Sequence, residues 1–285
     1  MERTNPSRER GSPTGKMATM TSTTQRASGI RPRLPSALRK GLRRVLANLG
    51  LQVISKNSAA PAITDDLDFH AIQDKCAPYT MTTVERQYAL YQATKYLVAR
   101  RIQGAFVECG VWRGGAAMMM AHTLLACQNA EREIFLYDTF TGMTEPTEKD
   151  VSNRGAPALQ SWRRQQRKSH NEWCYASLDE VRQNLALTGY PASKFHLIQG
   201  KVEDTIPQRA PDAISLLRLD TDWFESTYHE LKHLFPRLVP GGVLIIDDYG
   251  RWRGAREATD RYLAEVGKPL LLQRVDKSAR LALNV

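Results

Sequence analysis

The segments LLRLDTDW (216–223) and VLIIDDYG (243–250) decide the fold. Each is a run of apolar strand residues ending in two acids: Asp220 and Asp222 in the first, Asp247 and Asp248 in the second. Near-continuous apolar runs mark strands buried on both faces, as in a parallel sheet covered by helices. Open α/β sheets bind ligands beyond the carboxyl ends of their strands, so both acid pairs are expected at the mouth of one crevice. Four carboxylates converging there repel one another. A hard divalent cation removes that cost, and an all-oxygen donor set suits Mg2+.

Outward from these segments the pattern alternates. Strands are predicted over 105–109, 134–138, 195–199, 214–220, 243–247, 270–274 and 279–285, with helices over 84–100, 114–128, 178–187, 226–238 and 254–266. Such alternation implies an α/β fold with a mostly parallel, seven-stranded sheet and helices on both faces. The last two strands are joined by the short turn DKS, which suggests that the final one is antiparallel at the edge. Residues 58–70 read as a linker, and Thr82 or Thr83 caps the helix that follows. The segment 139–176 is too long for a simple connection. It carries SWRRQQRKSH together with Trp162, Trp173 and Tyr175, and is either a solvated loop or a lid over an acceptor.

The chain of 285 residues has 42% hydrophobic residues and a formal charge of +10. Its first 57 residues hold 12 of the 40 Lys and Arg against two acids, Glu2 and Glu9, so the remainder is balanced at 28 of each sign. The excess therefore sits in an extension, and a basic nucleic-acid-binding core is not expected. Residues 1–35 have almost nothing apolar to bury and are expected to be disordered, with Met17 or Met20 as alternative starts and an organelle leader as another reading. Leu38, Leu42, Val45, Leu46 and Leu49 fall at helical spacing among basic residues, forming a helix that docks on the body or a second subunit in preference to weak contact with a membrane surface. No apolar run is long enough to span a bilayer. Cys76, Cys109, Cys127 and Cys174 are scattered, which points to free thiols in a reducing cytoplasm. His229 and His233 lack a third soft ligand nearby and read as packing or surface residues.

The first strand runs into FVECGVWRGG (106–115), where Glu108, Gly110, Gly114 and Gly115 open a helix. The spacing differs from G-x-G-x-x-G, so the paired backbone approaches that grip a pyrophosphate are missing. An acid at the strand end with one close turn suits the amino acid portion of S-adenosylmethionine (SAM), whose ammonium it would meet; Val111 and Trp112 belong to the same turn. Asp138, in LYDTFTG with Thr139, Phe140 and Gly142, either accepts ribose hydroxyls or caps a helix. Gly200, Lys201 and Val202 stand at the rim of the third strand, where adenine is expected by position.

In this order, FVECGVWRGG, YDTFTGM, ASLDEVRQN, LIQGKVEDTIP, LRLDTDWFEST and GGVLIIDDYG resemble the macrocin/mycinamicin/novobiocin type of sugar O-methyltransferase, over roughly residues 80–263. The resemblance implies a class I SAM-methyltransferase (Rossmann-like) fold, SAM as donor, Mg2+ as metal, a hydroxylated small-molecule acceptor such as a deoxysugar on a natural product, and a homo-oligomer. By position, Asp220, Asp247 and Asp248 correspond to metal ligands and Asp222 to the general base, while Thr80 and Met81 lie next to the cofactor. The basic extension has no expected counterpart, the loop over 144–174 matches no acceptor lid, and Arg251 stands where many relatives carry His. Other readings of the same residues are a catechol or phenolic diol as acceptor, or a non-catalytic SAM-binding protein docked through its basic tail.

Overall fold

The computed structural model describes residues 63–285; the basic extension and the amphipathic helix expected in it lie outside them. Seven strands, β1 (Ala105–Cys109), β2 (Ile134–Asp138), β3 (Phe195–Gln199), β4 (Ile214–Leu219), β5 (Leu238–Ile246), β6 (Gln273–Arg274) and β7 (Arg280–Leu283), form one sheet of order β3-β2-β1-β4-β5-β7-β6. The first five are parallel, and β7 runs antiparallel to both β5 and β6. The order reverses between β1 and β4, so a crevice opens outside their carboxyl ends. Successive strand residues point to opposite faces. Phe106, Leu136, Leu216 and Val243 pack under α1 (Leu67–Cys76), α2 (Val84–Ala99) and α3 (Gly115–Ala126). Val107, Tyr137, Leu217 and Leu244 form the second core layer.

The remaining helices are α4 (Ala158–Gln165), α5 (Leu178–Ala186), α6 (Val202–Thr205), α7 (Phe224–Leu234) and α8 (Arg253–Glu265). Residues from α6, α7 and α8 close the second layer. Among the described residues no helix is long and apolar enough to cross a membrane.

Four expectations need correction. Part of the expected linker is α1: Phe69, Ile72 and Cys76 recur at helical spacing and are buried, and the Asp66 side chain caps the helix by accepting the Phe69 N–H at 3.0 Å. The final strand, β7, is antiparallel but not at the edge; it pairs with β5 on one side and leaves the two-residue β6 outermost. β5 begins at Leu238 and not at the expected Val243, because the register with β4 shifts between Ile214 and Leu216 and absorbs the proline at 240. α7 starts two residues early and ends before Pro236, which cannot continue the helical hydrogen bonding.

Candidate active site

The β1 tip is drawn against the β4 tip. Gly110 has φ +84°, and a side chain there would collide with the Asp220 carbonyl. Its neighbours are tied in the same way: the Asp220 N–H donates to the Cys109 carbonyl at 2.8 Å. Gly115 leaves room for the chain passing above it, since a Cβ there would stand 2.5 Å from the Tyr79 carbonyl oxygen. Asp138 holds both turns. One carboxylate oxygen accepts the N–H groups of Val111 and Trp112 at 2.7 and 3.1 Å, and the other accepts Phe140 N–H at 2.8 Å. Trp112 and Phe140 have positive φ, 48° and 52°, so these bonds secure backbone that non-glycine residues seldom adopt. Burial raises the Asp138 carboxyl from its ordinary range, and the three N–H groups oppose that.

Glu108 is 1% exposed, with Oε1 2.6 Å from Arg218 Nη1. Its Oε2 has no hydrogen-bond partner among the described residues and the residue lines the cleft. A buried, unpaired carboxylate oxygen is costly unless a donor arrives, and the ammonium of SAM is a donor of the right sign. With the close backbone at Gly110 and Gly115, these residues fit that group.

Arg218 also reaches Asp220 at 2.7 Å and Asp247 at 2.8 Å through Nη2. Asp247 receives a second cation, Arg86 from α2, whose Nε also holds Asp276 at 2.9 Å. Oxygens of Asp220, Asp247 and Asp248 lie within 4.8 Å of one another, the one such His, Cys, Asp or Glu cluster of three among the described residues able to hold a metal ion. Asp248 Oδ2 is buried without a partner. Burial raises the Asp248 carboxyl well above its ordinary range, and Asp222 and Asp247 raise it further. Asp220 is raised first by burial, against Arg218, and then by Asp247 and Asp248. Its side chain is 26% exposed and lines the cleft. Two guanidiniums do not balance this concentration of carboxylates, so the donor set fits a divalent cation. Asp222 has φ +67°, and burial followed by the Asp220 charge pushes it up to about 7.

The cleft has a volume of about 340 Å³ and gathers Thr80, Met81, Glu108, Gly110, Val111, Trp112, Asp138, Gly142 and the four acids. Thr139, Lys201 and Val202 line a smaller cavity of about 60 Å³ that shares Gly110, Asp138 and Gly142 with it. Two expected site residues lie elsewhere. Gly114 faces Val181 and Leu185, and Phe140 is buried in the core. Trp173 and Cys174 bring the 139–176 segment into the cleft wall beside Arg251 and Trp252. Arg86 and Arg218 were not anticipated; the one available signal was a charged residue inside the apolar run LLRL. His229 Nε2 lies 2.9 Å from the Ile206 carbonyl oxygen, a packing contact.

Comparison with known proteins bears on the family and the fold. The family model described as "Macrocin-O-methyltransferase (TylF)" matches residues 37–281. Demethyldecarbamoylnovobiocin O-methyltransferase of Streptomyces niveus is 30% identical over 187 residues, 66% of this chain and 68% of that protein. The 8-demethyl-8-(2,3-dimethoxy-alpha-L-rhamnosyl)-tetracenomycin-C 4'-O-methyltransferase of Streptomyces olivaceus is 32% identical over 189 residues, 66% and 69% of the two chains. Among solved structures, the O-methyltransferase NovP superposes with a TM-score of 0.64 at 26% identity, covering 73% of this chain and 82% of its own. The calicheamicin methyltransferase CalS11, at TM-score 0.60 and 18% identity over 88% and 94%, shares the fold. With a class I sheet and a family match over most of its length, the chain belongs to the macrocin O-methyltransferase family of SAM-dependent O-methyltransferases.

Proposed function

We propose that the enzyme transfers the methyl group of SAM to a hydroxyl of a sugar, such as a deoxysugar carried on a natural product, with Mg2+ held by Asp220, Asp247 and Asp248. The observation that carries this reading is the convergence of these three carboxylates beside Asp222, in the cleft that also holds the unpaired oxygen of Glu108. The relatives' names support the acceptor class, since one acts on a rhamnosyl-tetracenomycin and another on mycinamicin III.

An alcohol is a poor nucleophile at neutral pH. When bound, the cation supplies Lewis-acid polarisation and a template for the acceptor hydroxyl. Asp222 takes the hydroxyl proton as the new C–O bond forms and the S–CH3 bond breaks, leaving S-adenosylhomocysteine. Burial disfavours the charged form of Asp222 and so makes it a stronger base than an exposed carboxylate, which suits that task. Glu108 holds the donor ammonium, the Gly110 turn admits the donor backbone, and Trp173 and Trp252 offer apolar faces to a sugar ring. Positioning supplies much of the remaining rate.

The test is an acceptor screen with labelled methyl donor, with Mg2+ and with chelator, over glycosides, free deoxysugars and catechols. Transfer to a sugar hydroxyl that stops on chelation is the expected result. Transfer only to catechols would overturn the sugar assignment, and chelator-resistant turnover would overturn the metal. Asp222→Asn is expected to keep SAM affinity and to lose about 10²- to 10⁴-fold in turnover. The resemblance further leads us to propose a homo-oligomer, which sedimentation velocity would show.

A further inference from the structure

Asp150 lies in the inserted segment and does not line the cleft, yet it is fully buried. Its Oδ1 accepts the Phe224 N–H at 2.8 Å, and Oδ2 accepts the N–H and hydroxyl of Thr147 at 2.7 and 3.0 Å. Phe224 opens α7, whose N-cap residue Trp223 makes no side-chain cap. Asp150 therefore caps that helix from a distant part of the chain. The same carboxylate stands at the start of α8: a Cβ on Gly254, the second residue of that helix, would collide with Asp150 Oδ1 and stand 3.0 Å from the Phe224 nitrogen. The following residues of the insertion run beside 250–253. The Arg253 N–H donates to the Val151 carbonyl at 2.8 Å, the Asn153 N–H to the Arg251 carbonyl at 2.8 Å, and Asn153 Nδ2 to the Gly250 carbonyl at 3.0 Å.

These contacts have one thing in common. α7 begins two residues after Asp222, and α8 begins five residues after Asp248, beyond the turn 249–252 that the insertion runs beside. We infer that Asp150 is a positioning residue that fixes the turn carrying Asp220 and Asp222 against the turn carrying Asp247 and Asp248, so that the inserted segment sets the spacing of the acids. The inference rests on the proposed roles of those four acids and adds the device that holds them. A carboxylate accepting a backbone N–H makes a strong, charge-assisted bond, and Asp222, with its left-handed backbone, needs surroundings that over-determine it.

The test compares Asp150→Ala, Asp150→Asn and Gly254→Ala with the unaltered full-length protein. For Asp150→Ala, hydrogen–deuterium exchange is expected to be at least tenfold faster over 220–226 and 248–254 and unchanged over 105–115. SAM affinity should stay within twofold, and kcat on the acceptor that the unaltered enzyme methylates should fall at least tenfold at unchanged KM for SAM. Asp150→Asn keeps Oδ1 for the Phe224 N–H but turns an amide NH2 toward the Thr147 N–H, and is expected to recover protection over 220–226 and part of the rate. Gly254→Ala should reproduce the alanine phenotype, and the double variant should be no worse than Asp150→Ala alone. Wild-type exchange at the two turns, acceleration spread across the whole sheet, or kcat within twofold of the unaltered enzyme would overturn the inference. Chelator-resistant turnover by the unaltered protein would remove the cation while leaving the exchange result to decide the role of Asp150.

Discussion

The guanidinium of Arg218 stands between Glu108, Asp220 and Asp247 with 4% of its side chain exposed. Its desolvation is outweighed by Asp220, Asp247 and Glu108, so it stays fully charged. Arg218→Met keeps much of the volume but strands three carboxylates, and breaking a buried ion pair from one side costs about 3–5 kcal/mol. Urea denaturation should show that loss. Glu108 gives a pH signature. Burial, opposed by Arg218, pushes its carboxyl from 4.5 up to about 7. Between those values the unfolded chain has released its proton and the folded chain has not, so stability from this group is complete below 4.5 and lost as pH rises through 7. At about 1.4 kcal/mol per pH unit the loss is about 3 kcal/mol. Ligand-free protein should therefore weaken between pH 5 and 7.5 in denaturant titrations, and saturating SAM should flatten the profile. The acids were readable because each pair ends an apolar run. Their counter-charges were not, because Arg218 meets Glu108 across 110 residues and Arg86 meets Asp247 across 161.

The inserted segment is a folded element clamped at its base. The Asn171 N–H donates to the Thr141 carbonyl at 2.8 Å and the Met143 N–H to the Trp173 carbonyl at 3.0 Å. Asn171, 2% exposed, adds side-chain bonds to the Trp162 carbonyl and the Trp173 N–H at 2.9 Å each. Gly142 sits inside the clamp at φ +87°, where a side chain would collide with the Asn171 carbonyl. Gly142→Ala should open the base of the segment and withdraw Trp173 and Cys174 from the cleft wall. We expect a melting temperature several degrees lower and acceptor turnover reduced more than tenfold. β1, β2 and β3 have the boundaries that the sequence predicts: β1 is buried throughout and β2 largely so, while β3, at the sheet edge, keeps Phe195, Leu197 and Ile198 as its apolar signal. The clamp left none, for polar loop residues reveal their partners only once the chain is folded. α1 was hidden for a related reason: three buried residues in ten are a weak periodic signal.

At the scale of the whole molecule, the charge excess and the candidate active-site cleft belong to different stretches of sequence. Among the described residues the cleft is lined by those from 79 onward, whereas the basic surplus lies in the first 57. A chain beginning near Ser58 should therefore retain SAM binding and methyl transfer; calorimetry and the labelled-donor assay check this, and loss of SAM binding would show that the extension supports the fold. The sheet order has a consequence for synthesis as well. The outer side of β5 is sealed by β7, which starts only at Arg280. Until the ribosome delivers β7, the strand leading to Asp247 and Asp248 offers a bare row of amides and carbonyls to any neighbouring nascent chain. Termination of synthesis before Arg280 should therefore yield insoluble, cross-paired polypeptide, because β5 is then left without the strand that covers its outer side.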